Sequence, residues 1–180
     1  MMRNVIWQDH EPVLQPVDET VDHVRGSPAG PLILEYGDYE CLYSRQAFRA
    51  IERVEQELGG VRFCFRHFPL TGIHPHALAA AAAAEAAVRQ GRFWDMHAML
   101  FHSQRALEDN DLRRYATGLG LDVALFDHDR TSHLVLERVS RDVDSGIATG
   151  EVMGTPTLFI DGVVYRGGYD PATLLSMLAR

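Results

Sequence analysis

The sequence predicts a single α/β domain in which helices cover a mixed β-sheet and a block of further helices interrupts it. Three observations support this prediction. Short apolar runs typical of strands occur at 32–36, 61–68, 157–160 and 163–166. Amphipathic helical patterns separate these runs, and an alanine-rich stretch of very high helix propensity lies between them. A chain of 180 residues can bury such a core without disulfide cross-links.

The N-terminal half predicts an extension, a strand, a helix and a second strand. Prolines and glycines punctuate residues 1–30, so we expect an irregular extension with one short turn of helix at 20–25. The compact apolar run at 32–36 predicts a buried strand. A helical pattern begins at Leu42 and stops at a Gly-Gly pair, after which the alternating segment 61–68 predicts another strand.

Helical patterns dominate the middle of the chain. The alanine-rich stretch covers 77–87, and shorter helical patterns follow at 93–103, 109–119 and 123–127. A longer pattern spans 131–149 and is expected to bury the apolar residues of one side, namely Leu134, Val135, Val139, Val143 and Ile147.

The C-terminal end predicts a hairpin and a last helix. An Asp-Gly turn joins the two final strand candidates, and Asp170 with Pro171 marks the start of the helix. We therefore expect one domain formed by residues 31–71 and 131–180, with an inserted helical subdomain at 72–130. Without the insertion, the order is β-α-β followed by α-β-β-α, which is the layout of the thioredoxin fold.

Composition and charge exclude several classes of protein. The 17 basic and 25 acidic residues give a net charge of −8, which argues against a general nucleic-acid or anionic-membrane binder. No run approaches the ~18 apolar residues of a membrane span, and residues 1–13 lack the apolar stretch and cleavage site of a secretory signal. Two cysteines fit a reducing compartment. We therefore expect a cytoplasmic protein.

Cys41 is the candidate nucleophile, because it lies between a predicted strand and the start of a predicted helix. A helix start offers unpaired backbone N–H groups and the positive end of the helix dipole, and both stabilise a thiolate. Ser44 occupies the position of the second cysteine in a two-cysteine redox motif. A serine cannot attack a mixed disulfide, although it can donate a hydrogen bond to the Cys41 sulfur. The alternative is an unreactive cysteine at a helix cap.

Glu35 is the candidate proton-relay residue. It lies in the apolar strand between Leu34 and Tyr36, where burial would raise the pKa of its carboxyl group. The alternative is an exposed acid at a strand end. Glu40 also carries negative charge close to Cys41 in sequence and, if exposed, would modestly oppose thiolate formation.

The Thr155-Pro156 step is the candidate substrate-binding element. Because proline cannot donate a hydrogen bond within a central ladder, Pro156 must lie at the start of the strand that follows it. Next to Cys41, the Thr155 backbone would be free to pair with an extended substrate chain. The alternative is an ordinary trans proline in a turn.

The other cysteine and the nine histidines predict no further site. Cys64 lies in an alternating strand, on the opposite face from Phe63 and Phe65, and is expected to be a buried core thiol. The close histidine pairs lack the four-residue spacing that places two ligands on one helix face, so we predict no metal site. His67 and His97 are expected to be partly buried with satisfied hydrogen bonds.

Several segments of the chain together resemble the DsbA-like thioredoxin-fold proteins. They are LEYGDYECLYS at 34–44, RHFPL at 66–70, HPHA at 74–77, FWDMH at 93–97 and GTPTLFIDG at 154–162. The segments look most like the bacterial branch that includes domains fused to NhaA-type sodium/proton antiporters, and the resemblance covers about residues 20–180.

This resemblance implies a thioredoxin fold with a helical insertion, a cis Pro156 and thiol–disulfide exchange at Cys41. It also implies that Glu35 is the buried acid of the family. The residues expected to contact the substrate are Leu42, Tyr43, Thr155 and Pro156. The motif departs from the usual Cys-Pro-Tyr-Cys of the family, since Leu42 and Ser44 replace its proline and second cysteine. No antiporter segment is present, so we expect a domain that stands alone.

Three functions remain open. The first is a monothiol oxidoreductase, in which Cys41 attacks a protein or small-molecule disulfide and an external thiol resolves the product. Glutathione or another small thiol would be its co-substrate, and no bound cofactor is expected. The second is a redox-inactive binding or chaperone-like module that uses the groove near Pro156. The third is a glutathione-dependent transferase or isomerase of the same fold, in which a hydroxyl group, here Ser44, activates glutathione.

Overall fold

Five strands and seven helices make up the part of the chain that the computed structural model describes, residues 13–178. The strands are β1 (His23–Gly26), β2 (Leu32–Gly37), β3 (Arg62–His67), β4 (Thr157–Ile160) and β5 (Val163–Tyr165). The helices are α1 (Leu42–Leu58), α2 (Ala77–Val88), α3 (Phe93–His102), α4 (Asp109–Gly118), α5 (Val123–Asp129), α6 (His133–Ala148) and α7 (Pro171–Leu178). Among these residues, no helix is long and apolar enough to cross a membrane.

The strands form one mixed sheet in the order β1-β3-β2-β4-β5. β2 and β3 pair in parallel because α1 crosses between them, and the other three pairs are antiparallel. The Asp161-Gly162 turn closes the β4–β5 hairpin with positive φ angles at both residues, as its sequence predicts. The predicted fold class, a thioredoxin-type mixed sheet with a helical insertion, is confirmed.

Alternation along the central strands builds a separate core on each face of the sheet. Ile33, Phe63 and Phe65 point toward the larger core, which α1, α7 and the helices α2 to α5 complete. Leu34 and Cys64 point the other way, into a smaller core beneath α6. Glu35 follows Ile33 by two residues and therefore lies on the face that α1 covers. Alternate residues of β2 thus point toward α1, the helix that begins after Cys41, and the residues between them point toward α6.

β1 contradicts the predicted turn of helix at 20–25. Its four residues pair antiparallel with β3, with Val24 opposite Cys64 and Gly26 opposite Arg62. Gly26 adopts a φ of 90°, and a Cβ atom there would lie 2.0 Å from the Val61 carbonyl oxygen. A strand this short carries no periodicity of its own, and pairing with β3 determines its conformation. The expected extension covered residues 1–30, of which residues 1–12 lie outside the described residues.

α6 buries only part of the face that its apolar residues predict: Val139 is buried, and Val143 packs against the smaller core. Leu134 and Ile147 are 78% and 62% exposed, whereas Asp142 and Ser145 are buried. Asp142 accepts a hydrogen bond from the His67 backbone N–H at 3.0 Å, and Ser145 pairs with the Tyr36 hydroxyl at 2.9 Å. These polar groups can be buried because each has a hydrogen-bond partner. The partners on the sheet therefore determine which face of α6 is buried more than the apolar pattern of the helix does.

Candidate functional site

Cys41 is the N-cap residue of α1, directly after the loop that follows β2. Among the described residues, no side chain caps the first turn of α1, so its free N–H groups remain available to an anion at Cys41. The residue is 5% exposed, and its thiol donates a hydrogen bond to the Thr155 carbonyl oxygen at 3.2 Å. Leu42 and Tyr43, which come next, are 64% and 63% exposed. A thiol at an open helix start with apolar neighbours can react with an incoming apolar substrate.

The loop before β4 forms the other side of the site. The Thr155–Pro156 peptide bond is cis, and the Tyr169 hydroxyl donates to the Pro156 carbonyl oxygen at 2.8 Å. The Thr155 hydroxyl is buried, and no partner for it lies among residues 13–178. A groove of about 380 Å³ lies along this loop and is lined by Met153, Gly154, Thr155, Pro156, Tyr165 and Tyr169, among others. The predicted substrate-binding pair, Thr155 and Pro156, therefore lies next to Cys41 and borders an open groove.

Glu35 lies beneath this site, fully buried in the sheet. Neither carboxyl oxygen has a hydrogen-bond partner among the described residues, and burial raises the pKa of Glu35 to about 8. Burial also raises the pKa of Tyr169, and negative charge on Glu35 and Cys41 raises it further. Glu35 and Cys41 therefore each lie within electrostatic reach of the Tyr169 hydroxyl. With a pKa of about 8, the Glu35 carboxyl group can hold or release a proton near neutral pH.

Ser44 is fully buried on the inner side of α1 and has a different partner from the one expected. Its hydroxyl oxygen accepts a hydrogen bond from the Asp38 backbone N–H at 3.2 Å. Within the described part of the chain, the Cys41 sulfur bonds to Thr155 instead of Ser44. Ser44 thus stabilises the turn before the nucleophile. A hydroxyl group in this position is closed to a substrate such as glutathione.

The Asp38 carboxylate is the main feature that the sequence did not indicate. It is buried, and it accepts hydrogen bonds from the backbone N–H groups of Glu40 and Leu70 and from the His74 ring. Glu40 accepts from the His76 backbone N–H at 2.7 Å and is only partly exposed. The Glu40 carboxylate, whose exposure the sequence left open, is therefore bonded to the segment that follows β3. Contacts between such distant positions have no periodic signal in a sequence.

Cys64 is a buried core thiol, as predicted. It is 0% exposed in the smaller core, on the face of the sheet opposite α1, and burial raises the pKa of its thiol to about 12. A thiol of this kind is neither ionised at neutral pH nor accessible to a mixed disulfide on Cys41. The chain therefore has one candidate reactive sulfur.

Three residues from different elements converge in a way that histidine spacing did not predict. The Nε2 atoms of His23 and His67 lie 2.6 and 2.8 Å from one Glu85 carboxylate oxygen, to which both donate. Burial opposes the ionisation of Glu85, but these two hydrogen bonds outweigh it and hold the pKa of Glu85 far below its usual range.

Two histidines and a glutamate are donors that suit zinc. However, the Arg138 guanidinium lies 3.9 Å from the same Glu85 oxygen, so an entering cation would meet a positive charge. Coordination through His67 Nε2 would also leave a proton on Nδ1, a buried atom that has no partner in the described part of the chain. These contacts favour a hydrogen-bonded network that joins β1, β3 and α2. His67 and His97 were expected to be partly buried and satisfied. Both are fully buried, and each has one ring nitrogen that no other described residue contacts through a hydrogen bond.

Three features define a thioredoxin-fold protein with a thiol site. They are a mixed sheet of this order, a thiol at the start of the first crossover helix and a cis proline next to the thiol. The chain belongs to the thioredoxin family: a family model with that description matches residues 18–180.

Solved structures share the fold of this chain, and one of them is alpha-DsbA1 from Wolbachia pipientis, with a TM-score of 0.76 at 20% identity over 92% of each chain. A thioredoxin-like oxidoreductase from Silicibacter pomeroyi superimposes with a TM-score of 0.78 at 24% identity, covering 88% of this chain and 91% of that one. BdbD from Bacillus subtilis superimposes with a TM-score of 0.77 at 19% identity, covering 94% and 97% of the two chains. The resemblance to DsbA-like proteins is therefore confirmed at the level of the fold.

Curated relatives place a similar domain inside a longer protein. The Na⁺/H⁺ antiporter NhaA 1 of Mycolicibacterium gilvum is 45% identical over 170 residues, which are 92% of this chain and 27% of the antiporter. The NhaA 1 antiporter of Salinispora arenicola is 42% identical over 159 residues, which are 88% of this chain and 24% of the antiporter. The chain thus spans about a quarter of the length of these relatives, consistent with a fused domain, and the expected link to the antiporter-associated branch is confirmed.

Proposed function

We propose that this protein is an oxidoreductase that catalyses thiol–disulfide exchange through Cys41 alone. One observation carries the proposal: the Cys41 sulfur lies at the open start of α1, 3.2 Å from the Thr155 carbonyl oxygen, and no second reactive sulfur accompanies it in the described residues. Ser44 occupies the position from which a second thiol would attack. The mixed disulfide would therefore persist until an external thiol arrives.

The reaction has two balanced steps. The Cys41 thiolate attacks one sulfur of a substrate disulfide, forms a new S–S bond and releases the other half as a thiolate, which takes up a proton. An external thiolate then attacks the mixed disulfide, regenerates the Cys41 thiolate and leaves with the substrate sulfur as a new disulfide. Glutathione or another small thiol would be the co-substrate. This requirement fits the cytoplasmic location expected from the sequence.

Glu35 would act as a proton store for these steps. The Cys41 thiol donates to a carbonyl oxygen, so its proton must leave before the sulfur can attack. A buried carboxyl group with a pKa of about 8 can accept such a proton and return it to the leaving group near neutral pH. Because nothing bonds to either Glu35 oxygen among the described residues, a water molecule would be needed to carry the proton.

Exposed apolar side chains favour a protein or peptide disulfide as substrate. Leu42 and Tyr43 flank the nucleophile, and Met153, on the wall of the groove, is 89% exposed. An extended substrate segment would lie against these side chains and along the backbone of Thr155. The same surface favours the second candidate, a redox-inactive binding module that uses the groove next to Pro156. The buried Ser44 hydroxyl does not favour the glutathione transferase alternative.

Incubation with oxidised glutathione separates the first two functions. We expect the wild-type protein and Cys64→Ser to gain one glutathione each, and Cys41→Ser to gain none, when intact masses are measured from pH 6 to 9. The adduct should disappear on addition of a reduced thiol. A wild-type protein that gains no glutathione on Cys41 at any of these pH values would exclude the oxidoreductase proposal. A partner that binds Cys41→Ser as tightly as the wild type would then support the binding module.

A further inference from the structure

The loop that carries the nucleophile, residues 38–41, is held by a segment that follows β3 in the chain. Asp38 accepts from the Leu70 backbone and the His74 ring, at 2.9 and 2.7 Å. Glu40 accepts from the His76 backbone at 2.7 Å. These contacts fix the loop on the side of its carboxylates. Its carbonyl oxygens need separate donors, because a buried carbonyl without a hydrogen bond is costly.

Gln104, just beyond the end of α3, supplies those donors. Its side-chain amide nitrogen lies 2.8 Å from the Tyr39 carbonyl oxygen and 2.7 Å from the Cys41 carbonyl oxygen. The residue is buried, and the orientation of its amide is fixed by chemistry, since carbonyl oxygens only accept and the NH₂ group must face them. Both amide hydrogens are therefore committed to the loop that carries the nucleophile.

The Cys41 carbonyl is also the first acceptor of α1, at 3.2 Å from the Arg45 backbone nitrogen. The Cys41 backbone N–H donates to Asp38, and its thiol donates to Thr155. Gln104 thus completes the set of contacts that fixes the peptide on both sides of the reactive residue. Without it, the loop could rotate and carry the sulfur away from the free N–H groups of the first helical turn.

We propose that Gln104 is a positioning residue for Cys41, so that the helical insertion sets the reactivity of the nucleophile. The inference deepens the proposed function, in that it rests on Cys41 being the nucleophile. A protein that forms no mixed disulfide could still show this effect in simple alkylation.

Two substitutions of similar size test the proposal. Gln104→Met removes both donors, and we expect alkylation of Cys41 by iodoacetamide to slow about tenfold at neutral pH. Gln104→Glu places oxygen against two carbonyls and adds negative charge near the thiolate, so the midpoint of its rate–pH profile should rise by about half a unit or more. Peptide mapping by mass spectrometry follows Cys41 separately from Cys64.

Tyr115→Phe provides the matched control. Its hydroxyl donates to the Ala106 carbonyl oxygen at 2.7 Å, so the variant removes a side-chain-to-carbonyl hydrogen bond from the same insertion without touching residues 38–41. Its free energy of unfolding in urea should fall by an amount comparable to that of Gln104→Met, yet its Cys41 should be alkylated at the wild-type rate. If folded Gln104→Met and Gln104→Glu both alkylate within about twofold of the wild type from pH 6 to 9, the proposal is wrong.

A measurement on the wild-type protein remains decisive if the variants do not fold. The two side-chain amide protons of Gln104 should exchange with solvent far more slowly than those of the exposed Gln56, as followed by NMR. Equal exchange would show that the hydrogen bonds to Tyr39 and Cys41 do not persist, which overturns the proposal. Normal alkylation together with no glutathione adduct would instead refute the proposed function and leave the role of Gln104 intact.

Discussion

Replacing Ser44 with cysteine is expected to change the chemistry from one thiol to two. The new sulfur would lie one helical turn from Cys41, at the place where the family usually carries its resolving cysteine. With oxidised glutathione, Ser44→Cys should lose two hydrogens and retain no adduct, because the second thiol displaces glutathione within the molecule. We expect insulin reduction in the presence of dithiothreitol to be at least about tenfold faster than with the wild type.

Ser44→Ala is the control for this gain. It removes the hydroxyl that accepts from Asp38 but adds no thiol, so it should keep the glutathione adduct on Cys41 and remain inactive toward insulin. A wild-type protein that already reduces insulin as fast as Ser44→Cys would contradict the interpretation of Ser44 as an absent resolving thiol. A Ser44→Cys variant that retains the adduct would show that the buried face of α1 cannot bring the two sulfurs together.

Glu35→Gln is expected to remove a large dependence of stability on pH. The folded-state pKa of Glu35 is about 8, and that of an ordinary glutamate is 4.5. Between these values, the unfolded chain has lost a proton that the folded chain keeps, so the free energy of unfolding falls as pH rises. The slope is about 1.4 kcal/mol per pH unit, and the total change is several kcal/mol, with about 5 kcal/mol as an upper bound. The contribution is fully present below pH 4.5 and lost by about pH 8.

The variant cannot ionise at position 35, so its stability should decline less between pH 5 and pH 8. Urea unfolding at both pH values measures the difference. Glu137→Gln, at a position 59% exposed on α6, should follow the wild-type curve. Parallel curves for wild type and Glu35→Gln would mean that the carboxyl group titrates normally, and the proton-store role would fail with it. At pH 8 the variant should gain stability relative to the wild type and lose activity in thiol exchange.

Most of the architecture could be predicted because its elements carry local signals. Because β2 is buried on both faces, its sequence is an apolar run interrupted by Glu35, and the Asp-Gly turn specifies the β4–β5 hairpin without help from distant residues. β1 could not be predicted in this way, since four residues at a sheet edge take their conformation from β3. On α6, the burial of Val139 could be predicted, but that of Asp142 could not, because the partner that allows Asp142 to be buried lies far away in sequence.

The candidate site divides in the same way. Cys41 and Pro156 were identifiable because each occupies a characteristic position next to a secondary-structure element. The structure adds the residues that hold them, such as Asp38, Gln104 and Tyr169, whose contacts join distant parts of the chain. Gln104, for example, donates to the Cys41 carbonyl oxygen from more than sixty positions away. A contact over that distance produces no regular spacing of residues in the sequence.

The burial of Cys64 has a practical consequence for spectroscopy. Its sulfur lies behind the sheet and stays protonated in ordinary buffers, so a maleimide or iodoacetamide dye should attach to Cys41 in the unaltered chain. A fluorophore, spin label or fluorinated tag could therefore be placed next to the Thr155–Pro156 loop without engineering a cysteine-free background. Binding of a candidate peptide next to Pro156 could then be followed directly as a change in emission or line width.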